Sequence, residues 1–242
     1  MQIDLFVTPA GVSNKDTQDC GVVVIDILRA GTTICYALTN GCKGVIPAMT
    51  IERAVKLAHT LFEPTTLLCG ERNGVKQDGF NLGNSPLEYT ADKVKDLTLI
   101  YTTTNGTEAI EKSTAGRWII VGGFVNFNCV ISYIKNKLPE KLAIVCGGKE
   151  HRFALEDVVS GGMIIHALNE HFNRELQLTD SARMAVAVYS QYADNILGML
   201  KNCEHGRFLQ SIGLEADLEI CSRVDAIPVL PVYKKGIITI NR

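Results

Sequence analysis

Short apolar runs alternate along the chain with stretches of helical spacing, and this alternation restricts the fold more than any other feature of the sequence. Five runs rich in β-branched and other apolar residues end in glycine, threonine or aspartate; they read CGVVVID, TTLLCG, LTLIYT, RWIIVGG and KLAIVCGG. Runs of this length and composition are typical of buried strands.

The segments between these runs carry apolar residues at the spacing of amphipathic helices. They read AGTTICYALTNG, IERAVKLAHTLF, NGTEAIEKS, NCVISYIKNKL, ALEDVVSGGMIIHALNEHF and DSARMAVAVYSQY. Strands that alternate with helices predict an α/β fold in which helices cover both faces of a mostly parallel sheet. We therefore expect a three-layer α/β/α architecture.

The C-terminal segment departs from this pattern and reads LEICSRVDAIPVLPVYKKGIITINR. It is rich in residues typical of strands and contains two prolines and a Lys-Lys-Gly turn. We expect its strands to join the sheet as antiparallel edge strands and to make it mixed. Alternation in LEICSRVD predicts a strand that either lines a cleft or forms an edge of the sheet. The residues expected on its polar side are Glu219, Cys221, Arg223 and Asp225.

Length and composition limit the classes of function. A chain of 242 residues, 46% hydrophobic and 21% charged, suits a single α/β domain over residues 1–242. A looser interpretation has two similar lobes that meet at an active-site cleft, because VVVID–LRAGTT near residue 25 resembles LAIVCGG–RFALED near residue 147. A net charge of −2 without a basic block gives no reason to expect nucleic acid as a partner.

The sequence also lacks the patterns of export and of membrane insertion. No apolar run reaches the length of a membrane span, and the N-terminus has no signal-peptide pattern. The eight cysteines form no C-x-x-C pair and no zinc-binding spacing. We therefore expect reduced thiols in a cytoplasmic protein without a membrane partner.

The first candidate site follows the strand VVVI, in the segment DILRAGTT. Ligands of open α/β sheets collect at the carboxyl ends of the strands, so Asp26 and Arg29 are placed where chemistry is expected. A carboxylate there suits Mg²⁺, and arginine suits phosphate or sulfonate oxygens. Thr32 and Thr33 open the following helix as substrate-binding candidates. The structural alternative is an ion pair with a threonine cap.

The second candidate is the segment TTTNGT between a strand and a helix. Exposed amides and hydroxyls at a helix start form a natural anion site. The substrate-binding candidates here are Thr103, Thr104, Asn105, Gly106 and Thr107. Asn105 and Glu108 could instead form a capping box that needs no ligand.

The third candidate is the long segment GERNGVKQDGFNLGNSP, which we expect to be an ordered binding loop. Glu71 and Arg72 stand at a strand tip as catalytic candidates, and Asn84 and Ser85 are substrate-binding candidates. Ser85 also has a structural explanation, because Ser-Pro-x-Glu is typical of a capped helix start.

The fourth candidate, VCGGKEHRFALED, fits two different chemistries. Cys146 and Arg152 have the C-x5-R spacing of thiolate phosphatases, but Lys149 stands where such a cradle usually has glycine. Glu156 and Asp157 follow in the first helical turn, where acids either interact with the helix dipole or hold Mg²⁺.

Other common catalytic patterns are missing. The sequence contains no Walker A motif, no G-x-G-x-x-G after a strand and no G-x-S-x-G elbow. Nucleotide-dependent transfer and serine hydrolysis are therefore not expected.

Taken together and in order, DILRAGTT, GER, GFNLGNSPLEY, TTTNGT, FALED and DLEICSRVD resemble the 2-phosphosulfolactate phosphatase family over nearly the whole chain. The resemblance implies an α/β fold particular to that family and an Mg²⁺-dependent hydrolase. Such an enzyme converts (2R)-phosphosulfolactate to sulfolactate and phosphate on the route to coenzyme M. Two residues depart from the family pattern: Gly31 replaces serine or threonine, and Asn81 replaces aspartate.

The resemblance also implies roles for the candidate residues. Mg²⁺ would be held by Asp26 together with one or more of Glu71, Glu156 and Asp157. Asp26 could instead be the nucleophile or the general base. Phosphate and sulfonate oxygens would be held by three guanidinium groups, those of Arg29, Arg72 and Arg152.

Two other functions remain as alternatives. One is a metal-independent thiolate phosphatase that uses Cys146 and Arg152. The other is a non-catalytic module that binds anionic metabolites. The carboxylates at the strand ends argue against such a module, because they repel an anion unless a cation lies between them. A small phosphate- or sulfonate-bearing acid is the expected partner, and a homodimer is compatible with the amphipathic helices.

Overall fold

All five apolar runs form strands in the computed structural model, which describes residues 1–61, 65–173 and 175–241. The described strands are β1 (Gln2–Phe6), β2 (Gly21–Ile25), β3 (Gly44–Pro47), β4 (Thr66–Arg72), β5 (Val75–Lys76), β6 (Thr98–Thr102), β7 (Trp118–Gly122), β8 (Lys141–Cys146), β9 (Gln177–Leu178), β10 (Pro231–Lys234) and β11 (Ile237–Ile240). Every residue of β2 is buried, because helices cover both faces of the sheet.

The six segments with helical spacing also form helices. The described helices are α1 (Asn14–Thr17), α2 (Ala30–Thr39), α3 (Ile51–Leu61), α4 (Ala91–Val94), α5 (Gly106–Lys112), α6 (Phe127–Lys137), α7 (Leu155–His171), α8 (Asp180–Tyr192), α9 (Ile196–Asn202), α10 (Glu204–Ser211) and α11 (Glu215–Cys221). Phe62 and Arg242, which two predicted segments included, lie outside the described residues. Over the described ranges, no helix is both long and apolar enough to span a membrane.

The core forms one layer on each face of the sheet, which confirms the three-layer prediction. Successive side chains of β2 point to opposite faces: Val23 and Ile25 pack with α6, α7 and α8, whereas Val22 and Val24 pack with α2 and α5. The alternation of side chains along one strand therefore supplies both layers of the core.

The sheet contains two parallel sets of strands that a hairpin joins. The strand order is β5-β4-β6-β3-β11-β10-β7-β2-β8-β1-β9. Strands β4, β6 and β3 form one parallel set, and β7, β2, β8, β1 and β9 form the other. Three antiparallel pairings, β3 with β11, β11 with β10 and β10 with β7, connect the sets, so that their strands run in opposite directions.

The C-terminal hairpin is antiparallel as predicted, but the prediction that it lies at an edge is wrong, because it forms the centre of the sheet. Its two-residue turn places Lys235 at φ 52° and Gly236 at φ 88°, the left-handed pair that suits a tight hairpin. The hairpin fits between the two sets because each of them offers it an antiparallel partner.

The predicted strand at LEICSRVD is also wrong. Residues 215–221 form helix α11, and its buried residues Asp217, Leu218 and Cys221 follow helical spacing. A segment this short contains both an alternating pattern and a helical pattern. Packing of α11 against α9 and α10, neither of which was predicted, selects the helix.

Candidate active site

A cavity of about 190 Å³ lies where loops from both parallel sets meet. Its lining includes residues from segments 26–29, 71–74, 103–105 and 149–150, which follow or end β2, β4, β6 and β8. Residues that follow β2 and β8 in one set therefore share a cavity with residues that end or follow β4 and β6 in the other set. We call this cavity the central cleft.

Asp26 is one of two buried carboxylates in the central cleft, the other being Glu71, and it follows β2 directly. Its Oδ1 accepts a hydrogen bond of 3.1 Å from the Ala30 amide. Its Oδ2 lies against two glycines, since a Cβ on Gly106 or Gly147 would be 2.6 or 3.1 Å from that oxygen. Burial raises the pKa of Asp26 to about 6, and the nearby Glu71 charge adds to the rise.

Glu71 joins two loops of the cleft. Its Oε1 accepts hydrogen bonds from the Thr104 amide at 2.9 Å and the Thr104 hydroxyl at 3.0 Å, and its Oε2 accepts one from the Gly74 amide at 2.7 Å. These three hydrogen bonds fix the position of the carboxylate. The sequence-based prediction of a carboxylate at this strand tip agrees with the placement.

Arg29 lies in the cleft wall and is already paired. Its Nη1 is 2.6 Å from Oδ2 of Asp217, and both side chains are 2% exposed. Its Nη2 donates to the Gly74 carbonyl at 2.9 Å. The other oxygen of Asp217 accepts from the Ser85 hydroxyl at 2.5 Å. Ser85 therefore helps to hold Asp217, which in turn holds Arg29 in the cleft wall. The sequence analysis did not identify Asp217 as a site residue.

The threonine segment supplies a hydroxyl without a protein partner. Thr103 lines the cleft and is 3% exposed, and its Oγ1 has no hydrogen-bond partner among the described residues. Thr107 donates to the Thr103 carbonyl at 3.2 Å and therefore holds the segment in place. A buried hydroxyl without a partner, on a residue that lines a cavity, is a polar group that a bound ligand could satisfy.

The predicted capping box at Asn105 does not form. Its Oδ1 instead accepts from the Glu150 amide at 3.0 Å, and the Glu108 carboxylate lies 3.4 Å from Nδ1 of His151. Both contacts connect α5 with the loop after β8. Asn105 therefore serves to position this loop at the mouth of the cleft.

Three further substrate-binding candidates have internal partners. The Thr32 hydroxyl donates to the Ile27 carbonyl at 3.2 Å, and the Thr33 hydroxyl donates to the Asn84 carbonyl at 2.9 Å. Asn84 lines the cleft, and its Oδ1 accepts from the Tyr101 hydroxyl. These contacts tie the long loop to α2 and shape the cleft wall.

Several predicted residues lie outside the lining of the central cleft. Arg72 donates to the Glu71 carbonyl at 2.6 Å and to the Thr102 hydroxyl at 2.8 Å. Asp157 accepts from the amides of Ile27 and Gly148 at 2.8 and 2.9 Å. Burial raises its pKa well above the usual value, whereas the two amides lower it. Both side chains therefore hold the strand ends together.

Cys146 is fully buried at the end of β8. Burial raises the pKa of its thiol well above the usual value, and the charges of Asp157 and Glu156 add to the rise. A nucleophilic thiolate needs the opposite environment, with cations and exposure. The geometry does not favour the thiolate alternative.

A second cavity, of about 180 Å³, adjoins the central cleft. Arg152 and Glu156 line it, and Lys149 and His205 line both cavities. His205 was missed by the sequence analysis, because it lies in a helix that was not predicted and stands beside no strand tip. Glu156, predicted as a metal ligand, has its Oε1 3.1 Å from Nδ1 of His205.

The two departures from the family pattern lie outside the lining of the cleft. The Gly31 amide donates to the Asp26 carbonyl at 2.8 Å, and a Cβ there would be 2.8 Å from the same oxygen. The Asn81 Oδ1 accepts from the Leu68 amide at 2.8 Å. Asn81 therefore secures the long loop against β4.

The charges of the cleft favour a cation. Asp26, Glu71 and Glu150 line it with three carboxylates. The basic side chains of the lining belong to Arg29, Lys149 and His205, and Arg29 is already paired with Asp217. Over the described residues, no three His, Cys, Asp or Glu side chains form a complete metal site. Mg²⁺ commonly takes only one or two carboxylates and completes its shell with water and phosphate oxygens. The oxygen donors of Asp26 and Glu71 fit that requirement.

Comparisons with known proteins point to one family. A sequence profile described as 2-phosphosulpholactate phosphatase matches residues 6–236. The chain is 37% identical over 238 residues to a probable 2-phosphosulfolactate phosphatase of Caldanaerobacter subterraneus subsp. tengcongensis, covering 98% of each chain. It is 38% identical over 236 residues to a protein of the same description from Clostridium acetobutylicum, covering 98% of this chain and 99% of the relative. A third such protein, from Thermotoga maritima, is 40% identical over 215 residues and 89% of each chain.

Proposed function

The chain belongs to the 2-phosphosulfolactate phosphatase family, and from this premise we propose that it hydrolyses the phosphate ester of (2R)-2-phospho-3-sulfolactate to (2R)-3-sulfolactate and phosphate. The observation that carries the proposal is the central cleft. Its buried carboxylate, guanidinium and unpartnered hydroxyl belong to Asp26, Arg29 and Thr103 and line one cavity. A small anionic ester is the substrate class that such a cavity suits.

We propose Mg²⁺ as the cofactor, held by Asp26 and Glu71. The substrate carries a phosphate, a sulfonate and a carboxylate. It would enter a cleft that three carboxylates line and in which the Arg29 guanidinium is already paired with Asp217. A divalent cation would neutralise phosphate charge and polarise the phosphoryl group. Because phosphate monoesters hydrolyse extremely slowly in water, charge neutralisation is the contribution that the reaction needs most.

The chain's own residues bind and orient the substrate. Arg29, held by Asp217 and the Gly74 carbonyl, presents its remaining N–H groups as fixed donors. The Thr103 hydroxyl supplies a neutral donor, and Lys149 supplies a charge where the two cavities join. Binding in this fixed arrangement holds the ester for attack by water and supplies part of the rate enhancement.

We propose further that the enzyme acts in the cytoplasm, in coenzyme M biosynthesis. The family resemblance supports the pathway. All eight cysteines are free, which supports a reducing compartment.

Phosphate release is the test of this function. The purified protein is incubated with 2-phosphosulfolactate and with 2-phospholactate, each with Mg²⁺ and with EDTA. We expect turnover of the sulfonated substrate that EDTA abolishes and Mg²⁺ restores. Cys146→Ala is expected to keep wild-type activity, because the thiol is buried and protonated. Turnover of neither substrate would refute the proposed reaction, and EDTA-resistant turnover lost in Cys146→Ala would establish the thiolate alternative.

A further inference from the structure

We infer that His205 is the proton donor to the leaving oxygen and that Glu156 is the residue that positions it. This inference rests on the proposed phosphatase function. His205 lies in the first turn of α10, its side chain is 12% exposed, and it lines both the central cleft and the adjoining cavity. It is therefore placed where a substrate that spans the two cavities would be bound.

The imidazole ring is held by a buried carboxylate. Nδ1 of His205 is 3.1 Å from Oε1 of Glu156, whose side chain is 2% exposed. The ring also packs near Phe208, with the ring centroids 6.4 Å apart. Among the described residues, Glu156 is the hydrogen-bond partner of the ring, so Nε2 is the nitrogen left for a ligand. A carboxylate on one nitrogen is the usual means of directing the other toward a reacting group.

The reaction needs a proton on the leaving side. In phosphate monoester hydrolysis the bond to the leaving oxygen is largely broken in the transition state, so that negative charge collects on this oxygen. An alkoxide is a poor leaving group, and proton transfer to it contributes about 10²–10⁴-fold to the rate. Attack by water, in contrast, needs little activation in such a transition state.

The step balances without a further reactant. The bond between phosphorus and the ester oxygen breaks, and its electron pair stays on that oxygen. The Nε2 proton of the protonated ring moves to the oxygen and forms the alcohol of sulfolactate. Water replaces the alcohol at phosphorus and releases one proton, which restores the protonated ring.

Other proton-bearing groups of the cleft are less suited to this role. Arg29 is paired with Asp217 and does not release a proton at neutral pH. Lys149 lies 3.2 Å from the Glu204 carboxylate. Tyr101, behind Asn84, is not part of the lining; it is fully buried and its hydroxyl donates to Asn84. Asp26 is the proposed ligand of Mg²⁺, and a proton on its carboxylate would compete with the cation. His205 lines the cleft and, within the described part of the chain, keeps a ring nitrogen free for the leaving oxygen.

The test compares two leaving groups. The His205→Gln and Glu156→Gln variants are assayed with 2-phosphosulfolactate, whose leaving oxygen needs a proton, and with p-nitrophenyl phosphate, whose leaving phenolate does not. We expect His205→Gln to lower kcat about 100-fold or more with the first substrate and less than about 5-fold with the second. Glu156→Gln should also lower kcat more with 2-phosphosulfolactate than with p-nitrophenyl phosphate, but by a smaller factor than His205→Gln. The matched control His59→Gln, exposed on α3, should keep wild-type rates.

The ¹⁸O isotope effect at the bridging oxygen of 2-phosphosulfolactate gives a second measurement that needs only the natural substrate. It should increase in His205→Gln, because the oxygen leaves without its proton. Equal losses with both substrates and an unchanged isotope effect would overturn the inference and assign the ring to water activation or to structure. A wild-type protein that releases no phosphate would instead refute the proposed function itself.

Discussion

Replacement of Asp26 by asparagine is expected to stabilise the metal-free protein at neutral and alkaline pH while abolishing phosphatase activity. Burial is the largest cause that raises the pKa of this carboxyl from 3.8 to about 6. The charges of Glu71 and Glu156 raise it further, whereas the charge of His205 and the Ala30 amide oppose the rise. An ionised Asp26 is therefore a group that the folded state holds at a cost.

The sign and size of the effect follow from linkage. Because the folded-state pKa lies above the unfolded value, the folded protein binds the proton more tightly, and stability falls as the pH rises from about 4 to about 6. The rise from 3.8 to about 6 corresponds to about 3 kcal/mol above that interval. Asparagine keeps an oxygen that can accept the Ala30 hydrogen bond but removes the charge.

The assay is urea unfolding in EDTA, followed by circular dichroism, at pH 4, 6 and 8. Asp26→Asn should exceed the wild type in free energy of unfolding by under about 1 kcal/mol at pH 4 and by about 3 kcal/mol at pH 8. The latter corresponds to roughly 6–12 °C in Tm for a chain of this size. The exposed control Asp78→Asn should show no such pH-dependent difference.

Adding Mg²⁺ should narrow the difference at pH 8, because a cation that binds the wild-type carboxylate stabilises only that protein. A difference between Asp26→Asn and wild type that stays constant from pH 4 to pH 8 would refute the linkage argument. A variant less stable than wild type at pH 8 would refute it as well.

Three further changes, two of them with a control variant, test the surroundings of the cleft. Asp217→Asn should lower the free energy of unfolding by about 3–5 kcal/mol in a urea titration, since it leaves a buried guanidinium without its partner. Asp19→Asn, which removes an exposed ion pair, should cost under about 0.5 kcal/mol. Thr103→Val should raise KM about 10-fold without loss of stability, because its hydroxyl has no protein partner. Thr107→Val should cost about 1 kcal/mol through its lost hydrogen bond and change KM less. Gly106→Ala should lower kcat/KM at least about 10-fold in the phosphate assay, since the new methyl would lie 2.6 Å from Oδ2 of Asp26. Wild-type rates would contradict the close approach.

Most of the regular structure could be predicted because its signals are local. The apolar runs and the helical spacings are properties of consecutive residues. All five apolar runs form strands, and all six segments with helical spacing form helices. The exceptions are informative. Segment 215–221 is so short that its apolar residues fit both the two-residue period of a strand and the 3.6-residue period of a helix. The position of β10 and β11 in the sheet depends on which strands they pair with. Neither property can be predicted from neighbouring residues in the sequence.

The site residues could be predicted only where they follow a strand that the sequence predicts. Residues that follow buried strands, such as Asp26, Glu71 and Thr103, were recognisable because the carboxyl ends of parallel strands gather ligands. His205 and Asp217 gave no such signal, since they lie in the first turns of short helices in the unpredicted region. Their roles follow only from the groups that the fold brings beside them.

Residue order alone accounts for the class of fold, the family and the set of carboxylates available to the site. The folded chain decides how each carboxylate is used. Asp157 is held by the Ile27 amide 130 residues away, and Asp217 is paired with Arg29 across 188 residues. The physical reason is that a buried carboxylate takes its pKa and its role from the donors, charges and burial around it, and packing brings these together from distant parts of the chain.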